Sequence, residues 1–417
     1  MRIIHTADLH IGQIIYQHYD RADEHLHFFS QLEKWVETFR PDALIVAGDI
    51  FDVPQPSASC WRMFTEAFVK IRKSSPETKI VIVAGNHDSA SRLQSHSDVW
   101  ALADTAIVGT PPPMTFKDNT GWEEKYILRL PTGYIIMLPY MSSEKTDAAL
   151  ALQEYVAKEN KDNLPVVMTG HLAVTGCDFT GHDTEIGMLR TVDLERFGKD
   201  YDYLALGHIH RPQTLNHSSF ETEVNYKTPV ARYSGSALHI SCDEAYPHSV
   251  SLVEIDNHKG TITIQELRID QLRHFYNFPP NSEPPFSNEK EIFKWFDRFL
   301  KDTESCYIRL RVEKGTDLSS DFNNRVYTLI ENSGKDVRYN PKIIWVGEEI
   351  EQVDIAEEEQ EIAVEELQQM TDPLQFIRLT AEKYPSLDLD SLAEAFKEIE
   401  DEIKVMNEEE TGKKRTK

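Results

Sequence analysis

Five short stretches of this 417-residue chain carry residues of the types that ligate divalent metal ions. In order they are Asp8-Leu9-His10, Gly48-Asp49-Ile50-Phe51-Asp52, Gly85-Asn86-His87-Asp88, Gly170-His171 and Gly207-His208-Ile209-His210. One histidine beside a carboxylate carries little information; the repetition carries much more. Carboxylate, amide and imidazole donors together suit Mn2+, Fe2+ or Zn2+ better than an all-oxygen Mg2+ or Ca2+ site. Asp49 follows the apolar run from Ala43 to Ala47. A carboxylate cannot stay ionised beside apolar packing unless positive charge compensates it. The economical reading is two divalent ions bridged by Asp49. Asp8, His10, Asp49 and His210 surround one; Asp49, Asn86, His171 and His208 surround the other. A bridging carboxylate holds such ions roughly 3.5–4 Å apart, the spacing that clamps an in-line phosphoryl displacement and acidifies a water between them. His87 follows a ligand and suits a general acid for the phosphoryl or leaving oxygen, with Asp88 fixing its orientation; the competing role is a further ligand. Asp52 either orients a liganding histidine from behind or holds its turn.

Those donors need strands that end together. Residues 2 to 6, Ala43 to Ala47, Lys79 to Ala84, Val166 to Thr169 and Tyr203 to Leu206 are apolar runs that read as strands. Open α/β sheets place ligands beyond the carboxyl ends of their strands, which would gather all five motifs at one edge. Helices are expected from about Glu24 to Phe39, with Leu26, Phe29, Leu32, Val36 and Phe39 in one stripe, and from about Ala58 to Arg72, with Trp61, Phe64, Phe68 and Ile71. Their aromatics pack on the sheet, with a dimer interface as an additional use. A hairpin is expected over Tyr126 to Leu130 and Tyr134 to Leu138, a helix over Ala148 to Lys158, and a polar loop from Thr175 to Gly187 beside a substrate groove. A second hairpin, residues 249 to 256 and 261 to 269, closes the first domain near residue 270.

The organisation expected is 1–270 for the metal-bearing domain, 271–346 for a small α+β capping domain, 347–370 for an acidic linker, 371–403 for two amphipathic helices, and 404–417 for a disordered tail. Asn277 to Asn288 reads as a linker between the first two. Glu348 to Glu366 holds ten acidic residues and no basic one, which self-repulsion keeps extended. Asp372-Pro373 starts a helix. Leu374, Ile377, Leu392, Phe396 and Ile399 form apolar faces that two short helices cannot bury alone.

A formal net charge of -26 argues against tight nucleic-acid binding if taken as an average, because phosphate contacts need local positive charge. Arg21, Arg190, Arg211 and Arg232, in or near expected loops, are the phosphate-contact candidates. Four scattered cysteines, Cys60, Cys177, Cys242 and Cys306, suggest neither a disulfide framework nor a zinc finger. A polar start and the lack of a membrane-length apolar run fit the cytoplasm.

The five motifs resemble those of the calcineurin-like metallophosphoesterase superfamily. Met1 to Gly12, Ala47 to Asp52, Ala205 to Pro212 and Tyr233-Ser234-Gly235-Ser236 are similar to its SbcD/Mre11-like nuclease branch, strongly over residues 1 to 256 and more loosely beyond. The resemblance implies a two-sheet α/β sandwich flanked by helices, with a small α+β capping domain and a C-terminal helical pair. It implies two metal ions, Mn2+ foremost, and matches His87 to the family's catalytic histidine. It further implies a homodimer formed through nuclease-domain helices. The expected partner is an SbcC/Rad50-like ABC ATPase with a coiled coil, bound by the C-terminal helices. The expected activity is ATP-dependent 3′→5′ exonuclease and hairpin endonuclease action on duplex DNA. The acidic stretch departs from the pattern, and no phosphate-binding Gly-rich loop followed by Lys-Ser/Thr occurs, so ATP falls to the partner.

Overall fold

Strand period and sheet layering explain each other in this molecule. In a computed structural model, Arg2–Thr6, Ala43–Ala47, Lys79–Val83 and Thr105–Val108 run parallel, and Ser249–Ile255 pairs antiparallel with the first of them. With Thr261–Arg268 and Glu223–Lys227 outside it, this makes a seven-stranded sheet. A six-stranded sheet follows the order Gln213–Thr214, Val230–Tyr233, Tyr203–Gly207, Val166–His171, Gly133–Ile136, Ile127–Leu130. The structure describes residues 1–16, 18–113, 121–141, 147–180, 191–215, 223–227, 229–240, 244, 246–303 and 305–347. Arg190, the acidic stretch and Leu374, Ile377, Leu392, Phe396 and Ile399 lie outside them.

Successive side chains of a strand point to opposite faces. Ile3, Ala43, Ile45, Val81 and Val83 therefore meet Ile135, Val167, Leu204 and Ala231 of the second sheet in one core. Ile4, Leu44, Val46, Ile80 and Ile82 face the other way, against helices Ala22–Phe39 and Ala58–Ser74. The strands are buried on both faces, which is why their sequences are continuous apolar runs. Ser57 caps the second helix, accepting from the Cys60 amide at 3.3 Å. The first helix buries Phe28, Phe29, Leu32 and Val36, and Leu26 is 53% exposed. The buried stripe is thus rotated from the expected one, because Phe28 rather than Leu26 faces the sheet.

His274–Phe278, Cys306–Glu313 and Val337–Val346 form a parallel three-stranded sheet, covered by helices Glu289–Asp302 and Phe322–Ser333 around their own core. This corrects the linker expected to begin at Asn277: Asn277 and Phe278 are strand residues. The proline-rich turn after them is also held. The carbonyls of Pro279, Pro280 and Glu283 accept from the buried Arg311 guanidinium at 3.0, 2.6 and 3.2 Å. Composition suggested a loose segment because the group that satisfies those carbonyls sits far along the chain.

Residues Met1–Gly347 form one compact unit, and Glu24 fastens its two parts. Glu24, 2% exposed, accepts Arg21 on one oxygen, at 2.6 Å from Nη2. Its other oxygen accepts Arg273 at 3.2 Å, Arg338 at 2.9 Å and the Tyr307 hydroxyl at 2.6 Å. Breaking a buried pair leaves uncompensated charge at a cost of about 3–5 kcal/mol. Glu24→Ala should therefore lower the denaturation midpoint strongly, in a chemical-denaturation experiment, and Glu24→Gln less. A midpoint unchanged in Glu24→Ala would show that water satisfies the three guanidinium groups.

Candidate metal centre

Every donor motif sits at or just past a strand's carboxyl end, and both sheets contribute. Asp8 follows Arg2–Thr6, Asp49 follows Ala43–Ala47 and Asn86 follows Lys79–Val83. His171 ends Val166–His171 and His208 follows Tyr203–Gly207. The loops are zipped to one another: the amides of Asp8, His10 and Ile11 donate to the carbonyls of Gly48, Asp49 and Ile50 at 3.0, 3.1 and 3.0 Å.

The backbone is bent sharply at the donors themselves. Asp8, His10, Asp49 and His208 have φ of 51°, 46°, 48° and 97°. Left-handed backbone costs a residue with a Cβ about 1–3 kcal/mol and persists where its surroundings over-determine it, often at ligand clamps. Glycines make room for this. A Cβ on Gly48 (φ 92°) would lie 2.1 Å from His171 Nδ1, and one on Gly85 would lie 2.1 Å from Asp49 Oδ1. At Gly48, Gly85 and Gly207 the glycine before a ligand is therefore a packing requirement of the site.

Two donor groups stand at the strand ends. In one, ligand atoms of Asp8, His10 and His210 lie within 4.8 Å of one another; in the other, those of Asp49, His171 and His208 do. A third set, His10, Asp52 and His87, meets the same spacing. Asn86 joins the second group: its Oδ1 is 3.0 Å from His171 Nε2 and 2.9 Å from His208 Nδ1. Asp49 stands between the groups. Its Oδ2 is 3.2 Å from His171 Nε2 and 3.8 Å from His10 Nε2, and its Oδ1 accepts the His87 amide at 2.8 Å. All seven expected ligands thus converge.

The arrangement fits divalent ions on its own chemistry. Ligands about 2.0–2.1 Å from a small divalent ion at right angles stand about 3 Å apart, the spacing found here. His10 Nε2 is buried with no hydrogen-bond partner, and His10 Nδ1 pairs with Asp52 Oδ1 at 3.2 Å. A buried ring nitrogen of that kind asks for a cation. His171 Nδ1–H donates to the Ala47 carbonyl at 2.8 Å, turning Nε2 toward the centre. Burial would lower the His171 pKa, but the facing Asp49 carboxylate overrides it and lifts it to about 9. Burial likewise favours neutral Asp49, yet His171, His10 and His87 together hold its carboxyl well below the usual range. The site is built to keep negative charge facing positive charge.

His87 lies beside this centre, its ring 4.8 Å from that of His10 and its Nδ1–H donating to the Asp52 carbonyl at 2.9 Å. Asp52 therefore orients two imidazoles, one through its carboxylate and one through its backbone. Asp88 does not orient His87 as expected. Its carboxylate accepts the amides of Ile50, Phe51 and Gly85 at 3.1, 3.0 and 2.8 Å, stapling two ligand loops together. Burial, and then the nearby Asp49, push its carboxyl up to about 6.

The arginines divide. Arg21 is 1% exposed and held by Glu24, Gln13 and the His239 carbonyl. Arg232 is 4% exposed and donates to Ser251, Thr214 and Glu266. Both are corrected to structural roles, since a buried, fully engaged guanidinium cannot reach a phosphate. Arg211 is half-buried, pairs with Asp178 and lies over the Tyr246 ring; it remains at the surface. Sequence reasoning missed Glu244, 2% exposed, whose Oε1 is 3.1 Å from His210 Nδ1. Only its place shortly after Tyr233-Ser234-Gly235-Ser236 hinted at it.

Comparison with known proteins agrees with this geometry. A family model for calcineurin-like phosphoesterase matches residues 1–212. The SbcD component of the SbcCD nuclease from Rhodobacter capsulatus is 31% identical over 281 residues, covering 61% of this chain and 66% of that protein. The SbcD components from Escherichia coli K12 and Bacillus subtilis are each 29% identical, covering 60% and 61% of this chain and 65% and 66% of their own lengths. The matched part is thus just under two thirds of each relative.

Proposed function

This chain belongs to the calcineurin-like phosphoesterase family, and we propose that it is the nuclease component of an SbcCD-like complex. In this reading it is a 3′→5′ exonuclease on double-stranded DNA and an endonuclease at hairpins, acting in repair and recombination. The observation that carries the reading is Asp49 Oδ2, set between two donor groups at 3.2 and 3.8 Å, with His87 beside it. Similarity to components of a nuclease supports a nucleic acid as the substrate.

Asp8, His10, Asp49 and His210 would hold one divalent ion; Asp49, Asn86, His171 and His208 would hold the other, with Mn2+ the proposed metal. Such ions, when bound, polarise the phosphoryl oxygens and lower the pKa of the attacking water. The chain does the rest. The His87 amide and the facing imidazoles fix Asp49. Asp52 aims the His87 ring. With both ring nitrogens protonated, as a general acid requires, Nδ1–H stays on the Asp52 carbonyl. Nε2–H passes to the leaving oxygen as the P–O bond breaks, leaving neutral imidazole. Among the described residues Arg211 is the remaining phosphate-contact candidate.

The partner is an SbcC/Rad50-like ABC ATPase, reached through residues 371–403, and the protein is a homodimer through helices Ala22–Phe39 and Ala58–Ser74. Among the described residues no helix is long and apolar enough to cross a membrane. The test is a nuclease assay on blunt duplex DNA with Mn2+, with and without the ATPase, beside a phosphomonoester control. Duplex ends should be digested, more strongly with the ATPase and ATP, and the monoester poorly. Removing residues 371–417 should spare hydrolysis of small phosphodiesters and abolish co-purification with the ATPase. Preferred turnover of the monoester would defeat the nuclease reading.

A further inference from the structure

We infer that Asp178 is a positioning residue for substrate: it holds Arg211 and leaves the Nε–Nη2 edge of the guanidinium free to grip a backbone phosphate of the nucleic acid. The inference deepens the nuclease reading above and rests on it. Both residues continue from ligand-bearing strand ends. Arg211 directly follows His210, and Asp178 lies on the chain that runs on from His171. Gln213 ties the two segments side by side. Its Oε1 accepts the Asp178 amide at 2.8 Å, and its Nε2 donates to the carbonyls of Asp178 and Arg211 at 2.9 and 3.3 Å. The Asp178 carboxylate is itself fixed. One oxygen accepts the Thr180 amide at 2.8 Å and the Thr180 hydroxyl at 2.6 Å, and the other pairs with Arg211 Nη1. The Thr180 hydroxyl and amide, and then Arg211, keep the carboxyl below its ordinary range.

Arg211 is thus held from two sides and engaged on one nitrogen. The Tyr246 ring centroid lies 5.7 Å from its guanidinium carbon, within the reach of a cation–π contact. Among the described residues neither Nε nor Nη2 of Arg211 meets an acceptor. Every guanidinium nitrogen of Arg21 and Arg232 does. Two parallel N–H groups match two phosphate oxygens, a fit that the point charge of lysine lacks. Ordering a long side chain on binding weakens association by about 2–10-fold. Asp178 removes that penalty by ordering Arg211 beforehand.

The sign of one substitution decides. A carboxylate on a surface that meets phosphates repels them, so its removal alone should tighten binding. If the carboxylate positions Arg211, its removal should weaken binding instead. The experiment follows fluorescence anisotropy of a labelled blunt duplex with Mn2+, in a His87→Asn parent so that the duplex is bound and not cut. Asp178→Asn is the variant of choice: its side-chain oxygen still accepts from Thr180, while its amide nitrogen cannot accept from Arg211. It should weaken duplex binding by about 2–10-fold, and should cause no further weakening beside Arg211→Ala. Arg211→Ala should flatten the slope of log affinity against log salt by about 0.9, the value for one phosphate contact. Arg211→Lys should keep most of that slope and still bind more weakly than the parent. Unchanged or tighter binding in Asp178→Asn would overturn the inference. So would an equal weakening in the Arg211→Ala background, or a salt slope that Arg211→Ala leaves unaltered. Failure of the parent to bind duplex even at low salt would defeat the nucleic-acid reading itself, so the two failures are told apart.

Discussion

His87→Asn should keep both ions and lose turnover by about 10²–10⁴-fold, the span that a general acid contributes. The ions stay because His87 supports Asp49 through its backbone amide, at 2.8 Å, which the substitution leaves in place. Turnover falls because, among the described residues, no other imidazole beside the centre is free of a proposed ligand role. Elemental analysis of metal content beside the rate decides it: loss of one equivalent would make His87 a ligand. The leaving group provides a second check. A p-nitrophenyl phosphodiester, whose leaving group needs no proton, should lose much less rate than DNA does. Equal losses on both substrates would move His87 from proton donor to phosphoryl binding.

Asp49→Asn should weaken both ions together and abolish activity. Asn is the better test than Ala, because φ is 48° at this position and asparagine tolerates the left-handed region that a plain Cβ residue resists. The substitution removes charge with little change of shape, and the loss should exceed the 10–100-fold expected for an outer partner. His10→Ala should weaken chiefly the Asp8–His10–His210 position. A metal titration in which Asp49→Asn disturbs one step only would remove Asp49 from its shared place.

Donor identity was legible in the sequence because it is a local matter. An apolar run that ends in glycine and a ligand states both the strand and what its end presents. Parallel strands then bring such ends to one edge, so Asp8, Asp49, Asn86, His171 and His208 could be grouped without coordinates. Helix and strand existence followed from periodicity in the same way. What stands behind each donor was legible only in part, because it is settled by approach through space: Asp52 behind a histidine was one of two readings, and Glu244 was missed. His10 meets Asp52 across 42 positions and His210 meets Glu244 across 34. The same holds for charge. Arg21 and Arg232 look like Arg211 in the sequence, yet two are buried against carboxylates and one reaches the surface. Asp88 looked like a partner of its neighbour His87 and instead binds three amides of two loops. Local sequence determines which groups a turn offers. Only tertiary packing decides which of them are already satisfied, because a hydrogen bond or ion pair depends on contact within a few ångströms and takes no account of distance along the chain.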